Sequence, residues 1–161
     1  SRTHPMPEDL DRGILDALEA HQVNLVVLAG YMKRLGHQTL SRYPGRILNI
    51  HPALLPMYGG KGMFGKRVHE AVLASGTELS GATVHYVDEE YDTGTLVGQW
   101  SVRVFPGDDV PALATKILSV EHRLYPAVAD HVCEAWAKGR DPGPFPLSPA
   151  ESGSEINIEG R

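Results

Sequence analysis

Asn49, His51 and Asp92 are residue types that together can run an acyl transfer. An amide is always neutral and can donate a hydrogen bond to a developing oxyanion. An imidazole gives or takes a proton near neutral pH. A carboxylate can hold the imidazolium, or accept a proton through a water. With these parts an amine attacks a carbonyl and a tetrahedral oxyanion forms. Protons then leave the nitrogen and reach the departing group, with no covalent enzyme intermediate. Each residue also has an ordinary reading. His51-Pro52 at a strand end is a common turn device, and Asp92 before Thr93-Gly94 is a common turn aspartate. Spacing alone does not bring Asp92 to His51.

The other candidates point to less. His4, His21 and His37 fall in turns or exposed ends, and His69, His122 and His131 fall on helices. His85 lies in a strand and can face either a site or the core. No spacing matches a metal-ligand pattern, so no metal is expected. Gly59, Gly60, Gly62 and Gly65 lack the strand-turn-helix setting of a phosphate loop and read as a lid or substrate-facing loop. Cys133 is the only cysteine, which excludes an internal disulfide. Its helical setting predicts a small core residue.

The elements that must position these residues follow from periodicity. Leu10, Ile14 and Leu18 form an i, i+4, i+8 stripe, predicting a helix over Pro7 to His21. Val23 to Leu28 is a short Val-rich run, predicting a strand buried on both faces. A helix over His37 to Tyr43 ends at Pro44-Gly45, and a strand covers Arg46 to Ile50. Asn49 and His51 alternate at its end and share a face. Strand, helix, strand predicts a parallel sheet with crossover helices, in which ligands bind beyond the carboxyl ends of the strands. A helix over Lys66 to Ser75 stops at Gly76. Strands over Ser80 to Val87 and Thr95 to Val104 flank the acidic turn from Asp88 to Gly94. Asp108 or Asp109 caps a last helix, and Pro111 fits its first turn. Leu113, Ile117, Val120 and Leu124 share one face of it, and Pro126 is expected to kink or restart it. Val128, Val132 and Trp136 continue the stripe to about Lys138.

The 161 residues suit a single domain. A net charge of −5 without a basic run argues against nucleic-acid binding. No stretch approaches the ~20 apolar residues of a membrane span. With no signal-type N-terminus, a cytoplasmic location is expected. The terminal Ile158-Glu159-Gly160-Arg161 matches a protease-cleavage linker, so residues 146–161 are expected to be a tail of partly engineered origin. Residues 1–145 are then expected to belong to one domain.

Two stretches, Val26-Val27-Leu28-Ala29-Gly30-Tyr31-Met32 and Gly45 to Pro56 around Asn49-Ile50-His51-Pro52, closely resemble the phosphoribosylglycinamide formyltransferase (glycinamide ribonucleotide transformylase) family. The resemblance continues through Gly59 to Gly65, Val68 to Val72, Val84 to Glu89, Asp92-Thr93-Gly94 and Glu121 to Pro126, covering about Pro7 to Gly143. It implies an α/β, formyltransferase-type, Rossmann-like and mostly parallel sheet with flanking helices, whose N-terminal strands are absent from this chain, so that residues 1–145 are the C-terminal, catalytic and folate-binding portion of one domain. It implies an enzyme of purine biosynthesis that moves the formyl group of 10-formyltetrahydrofolate, a co-substrate, to the amine of glycinamide ribonucleotide. Carried over by position, Asn49 stabilises the oxyanion. His51 donates a proton near the formyl oxygen and leaving nitrogen, and Asp92 tunes His51 and organises a relay water. Met32, Lys33, Arg34 and Leu35 border the folate, with Asn49 beside it. Asp88, Glu89, Glu90, Tyr91 and Asp92 hold the pterin, largely through backbone groups. Leu118, Ser119, Val120 and Glu121 lie near the ribonucleotide, Glu121 being the expected ribose contact. Lys33 stands where many relatives carry arginine, and lysine lacks the planar fork.

The family's N-terminal strand and phosphate-gripping Gly/Ser/Asn-rich loop have no counterpart in this sequence. A complementing N-terminal segment or a homodimer is therefore an expected partner. Three rival readings stand beside the main one. A methionyl-tRNA formyltransferase would need a basic extension, whereas the tail after Gly139 is short and Pro-rich. A formyltetrahydrofolate hydrolase would use water as acceptor. A non-catalytic fragment would work only with a partner chain.

Overall fold

The computed structural model describes residues 6–145; the tail expected at 146–161 lies outside them. Eight elements follow one another: α1 (Pro7–Ala20), β1 (Val26–Leu28), α2 (His37–Arg42), β2 (Ile47–His51), α3 (Lys66–Ser75), β3 (Leu79–Tyr86), β4 (Leu96–Arg103) and α4 (Val110–Ala137). The strands form one sheet in the order β1-β2-β3-β4. The α/β sheet with flanking helices matches expectation. Its parallel character resides in β1·β2, while β2·β3 and β3·β4 are antiparallel, so the described sheet is mixed. The acidic loop is indeed the tip of a long hairpin.

The expected strand over Val23 to Leu28 is shorter and more open than its composition implies. Only Val26–Leu28 is extended, and Val27 is 46% exposed. Among the described residues β1 has one strand neighbour, β2, so its outer edge is unpaired. An apolar run has the same sequence in a central strand and at such an edge; what differs is whether a neighbour covers it.

Two cores sandwich the sheet. In one, Ile14, Leu15 and Leu18 of α1 pack with Leu35, Leu40, Tyr43 and Ile47. Here Asp11, 5% exposed, caps α2 from the neighbouring helix: its carboxylate accepts from the backbone N–H of Gln38 (2.9 Å) and Thr39 (3.2 Å), and from Thr39 Oγ1 (2.6 Å). A buried carboxylate at a helix N-terminus satisfies orphan donors and the helix dipole together. In the other core, Leu113, Ile117, Val120, Leu124, Val128 and Val132 of α4 cover Leu48, Ala82, Val84 and Val102.

α4 runs unbroken for 28 residues with Pro126 inside it. The helix does not restart at Pro126: buried Leu124, Tyr125 and Val128 hold it in place on both sides of the lost hydrogen bond. Asp109, one of the two expected caps, accepts from Ala112 N–H at 2.9 Å. Cys133 corrects another expectation: it is exposed. Val132 and Ala135 are buried, so Cys133 lies about 100° off the buried stripe. Tyr125 locks α4 to the site end of the sheet, its hydroxyl lying 2.8 Å from Leu28 O and 2.9 Å from Leu48 O.

Candidate active site

The carboxyl ends of β1 and β2 open into a cavity of about 890 Å³, walled by the 28–35 turn, the 60–65 loop, the acidic loop and one face of α4. That volume suits one or two small organic ligands. Strand register builds its floor. Asn49 of β2 pairs with His85 of β3, and His51 with Thr83, so Asn49, His51 and His85 rise from one face. The register slips between Val84 and His85, leaving Val97 of β4 outside the pairing. Phe145 N–H takes up the Val97 carbonyl at 2.6 Å.

Beyond His51 the chain is pinned. Thr83 Oγ1 donates to Ala53 O (2.6 Å) and accepts from Leu55 N–H (3.1 Å), and Gln99 Nε2 donates to Leu55 O (3.1 Å). This sets the path to Tyr58, whose carbonyl accepts from His51 Nε2 at 2.8 Å. His51 Nδ1 therefore faces the remaining neighbour, Asp92 Oδ2, at 3.6 Å. Spacing could not bring Asp92 to His51; the hairpin does.

Asp92 sits at the centre of the polar cluster. Its Oδ2 accepts from Gly60 N–H at 2.9 Å, tying the acidic loop to the glycine-rich loop. Its Oδ1 lies 3.6 Å from His85 Nε2. Asp92 adopts φ +59°, a left-handed conformation that aspartate tolerates better than most residues. Gly94 is required two residues on: a Cβ there would lie 1.8 Å from Tyr86 O. Gly59 is required opposite, where a Cβ would meet Leu55 at 2.5 Å and Asp92 Cβ at 3.3 Å. The Asp-Thr-Gly turn and the first loop glycine thus share one purpose, close approach of two loops around a carboxylate.

The electrostatics follow from burial. His51 is 3% exposed. Burial pushes its pKa below the usual histidine value, while Asp92 and the Tyr58 carbonyl pull it back up. Burial also pushes the Asp92 carboxyl up, but His85, the Gly60 amide and His51 outweigh it, and the group is held below the usual carboxylate range. The pair is thus an ionised carboxylate beside an imidazole whose burial favours the neutral form and whose carboxylate neighbour opposes that. At 3.6 Å it is not a closed hydrogen bond, so the Nδ1 position can still exchange a proton with a third atom.

His85 is the site residue that composition and spacing left undecided. It is 2% exposed, and its Nδ1 lies 2.8 Å from Tyr86 O. Nδ1–H donates to that carbonyl, and in this tautomer Nε2 accepts from Asn49 Nδ2 at 3.2 Å. Asn49 is thereby fixed with its second N–H free for the cavity. The usable signal was register: antiparallel neighbours at opposed positions share a face.

The remaining predicted residues divide. Met32, Lys33, Arg34 and Leu35 line the cavity, as do Asp88, Glu90 and Tyr91. Glu89 does not; its carbonyl accepts from Arg34 Nη2 and its carboxylate pairs with His37 at 3.3 Å, closing the two loops over each other. Leu118 and Glu121 face the cavity. Ser119 and Val120, predicted with them, do not. Val120 is 1% exposed in the α4 core, and Ser119 Oγ bonds Lys116 O on the exposed side. Four consecutive helical residues cannot face one way. Burial without a countercharge pushes the Glu121 carboxyl up to about 6. Among the described residues no cluster of metal-ligating side chains occurs.

The profile of the family described as formyl transferase matches residues 4–129, most of the chain. The chain belongs to the formyl transferase family. Its relatives include the phosphoribosylglycinamide formyltransferase, chloroplastic, of Arabidopsis thaliana, 48% identical over 130 residues that cover 81% of this chain and 44% of that protein. The phosphoribosylglycinamide formyltransferase of Bacillus subtilis is 37% identical over 118 residues, covering 73% and 58%. Among solved structures, glycinamide ribonucleotide transformylase 1 from Symbiobacterium toebii superposes with a TM-score of 0.76 at 37% identity, over 86% of this chain and 61% of that one. The phosphoribosylglycinamide formyltransferase from Bacillus halodurans gives 0.71 at 41%, over 79% and 63%. The chain thus spans about half the length of the curated relatives it matches. Among the described residues no helix is long and apolar enough to cross a membrane.

Proposed function

We propose that this chain carries the catalytic and folate-binding part of a phosphoribosylglycinamide formyltransferase, moving the formyl group of 10-formyltetrahydrofolate to the amine of glycinamide ribonucleotide. The single observation that supports this most is the cluster Asn49–His51–Asp92–His85 on the floor of a cavity large enough for these reactants. The named relatives point the same way.

In this reading the substrate amine attacks the formyl carbon and the carbonyl oxygen becomes an oxyanion. Asn49, held from behind by His85, directs its free N–H to that oxygen. His51 supplies a proton at Nδ1, its Nε2 being committed to Tyr58 O. The ionised Asp92 stabilises the imidazolium and, through a water, accepts the proton the attacking amine sheds. The tetrahedral species collapses by breaking its bond to the folate nitrogen, which leaves protonated. The Met32–Leu35 turn and the Asp88–Tyr91 loop form the folate side, and Leu118 and Glu121 the ribonucleotide side. Titration of the chain with a non-reactive folate analogue tests the folate side. Saturable binding lost in a variant with a blocked cavity wall, such as Gly62→Trp, is expected; no binding contradicts it.

A second reading is favoured by one observation: among the described residues the outer edge of β1, beside the cavity, has no strand neighbour. Here a segment pairing with β1 completes the substrate site, and the chain turns over only with that segment supplied.

A further inference from the structure

Tyr58 is held at both ends. Its backbone carbonyl accepts from His51 Nε2 at 2.8 Å. Its hydroxyl lies 2.6 Å from the Oγ of Ser75, the last residue of α3. Ser75 Oγ donates its one proton to Val72 O at 2.7 Å, so the tyrosine hydroxyl is the donor to Ser75. Between the two ends the ring packs against the α4-side core. The backbone of Tyr58 sits at φ +57°, a left-handed conformation that a bulky residue rarely takes. Such a residue persists where its surroundings over-determine it, and these places cluster at functional sites. Here the buried imidazole holds the carbonyl and α3 holds the hydroxyl.

We propose that Tyr58 is a positioning residue for His51: its hydroxyl, anchored on Ser75, holds its own carbonyl against Nε2, so that the proton His51 exchanges is the one at Nδ1. The reason lies in the two ring nitrogens. A neutral imidazole carries one N–H, and a carbonyl can only accept, so that proton stays on Nε2. The lone pair, and the proton added on forming imidazolium, are then confined to Nδ1, which lies 3.6 Å from Asp92 Oδ2. With the carbonyl released, the neutral ring can carry its proton on either nitrogen, and a smaller share of molecules offers the productive form. For its effect on rate this inference rests on the formyl-transfer reading above; the placement of the His51 proton does not.

The test reads His51 directly, in the chain ¹⁵N-labelled at histidine and at a pH where the ring is neutral. The Nε2–H of His51 should be protected from exchange with water. Tyr58→Phe keeps the ring and removes the anchor. It should speed that exchange about three- to tenfold, the share that one hydrogen bond commands. It should lower kcat for formylation by a similar factor, with KM for both reactants within a factor of two, the N-terminal segment of the Bacillus subtilis relative being supplied where the chain alone does not turn over. Ser75→Ala should do the same, and the double variant no more than either single one. Ser75→Thr keeps the hydroxyl and should stay within a factor of two of wild type. Unchanged exchange in Tyr58→Phe and Ser75→Ala, an equal loss in Ser75→Thr, or faster exchange with unchanged kcat overturns the inference while sparing the formyl-transfer reading. Faster exchange in the variants with no formylation by wild type, alone or supplemented, upholds the placement of the His51 proton and overturns the formyl-transfer reading.

Discussion

Asn49 Nδ2 lies 3.2 Å from His85 Nε2, across the β2·β3 pairing that sets the two residues opposite each other. One histidine thereby fixes which way the amide points. His85→Ala should lower turnover roughly tenfold, with binding of a folate analogue nearly intact, because Asn49 is freed rather than removed. Asn49→Ala should cost more, about 10²–10³ in rate, the usual loss for one oxyanion donor. Steady-state kinetics on the two single variants and the double variant check this. The double variant should match Asn49→Ala alone; additive losses would mean that His85 acts by another route.

Asp92 raises the pKa of His51 against the effect of burial. Asp92→Asn should therefore cost ~10²–10⁴ in rate and also change the pH profile. The acid form of His51 is the proton donor, so activity falls as pH rises through its pKa. Without the carboxylate that fall should come at lower pH. A pH series of kcat for wild type and variant decides it; an unmoved profile would detach Asp92 from His51.

Part of this cluster's make-up was legible in the sequence. Asn49, His51 and Asp92 stood out by residue type, and the helix over Lys66–Ser75 and its stop at Gly76 came from periodicity and glycine alone. What was not legible depended on contacts between distant segments. His85 needed strand register, and Asp92 meeting His51 needed the hairpin to fold over. Val120 and Ser119 were placed at the ligand because motif likeness assigns a stretch, whereas a helix exposes only some of its residues. The edge position of β1 and the exposure of Cys133 depend on which neighbours are present, and a run of apolar residues does not encode them.

Gly94 should resist substitution on steric grounds alone. A Cβ at 1.8 Å from Tyr86 O forces the turn apart. Gly94→Ala should destabilise by ~2–4 kcal/mol, in the range of forced backbone shifts, and misplace Asp92 as well. Thermal unfolding with parallel activity measurement tests both. A change in melting temperature of less than a degree or two would show that the loops are not packed as described.

Glu121 should leave a signature in stability against pH. Its folded pKa, about 6, is raised above its ordinary 4.5. The folded state holds the proton more tightly, so this contribution is fully present below pH 4.5 and lost as pH rises through 6. Glu121→Gln should thus match wild type near pH 4 and exceed it at pH 8, by roughly 1 kcal/mol after allowance for partial exposure. Denaturant titrations at the two pH values check it. Equal differences at both would place the carboxylate in water rather than in the cavity wall.

In the proposed reaction His51, at the end of β2, drives formyl transfer. The most direct measurement follows formylation of glycinamide ribonucleotide with 10-formyltetrahydrofolate as donor, using the chain alone and supplemented with the N-terminal segment of the Bacillus subtilis relative. Wild type should produce formylated product in at least one of the two arms, and His51→Ala should lose ~10²–10⁴ of that rate while still binding a folate analogue. No product in either arm, or near-normal turnover by His51→Ala, would contradict it.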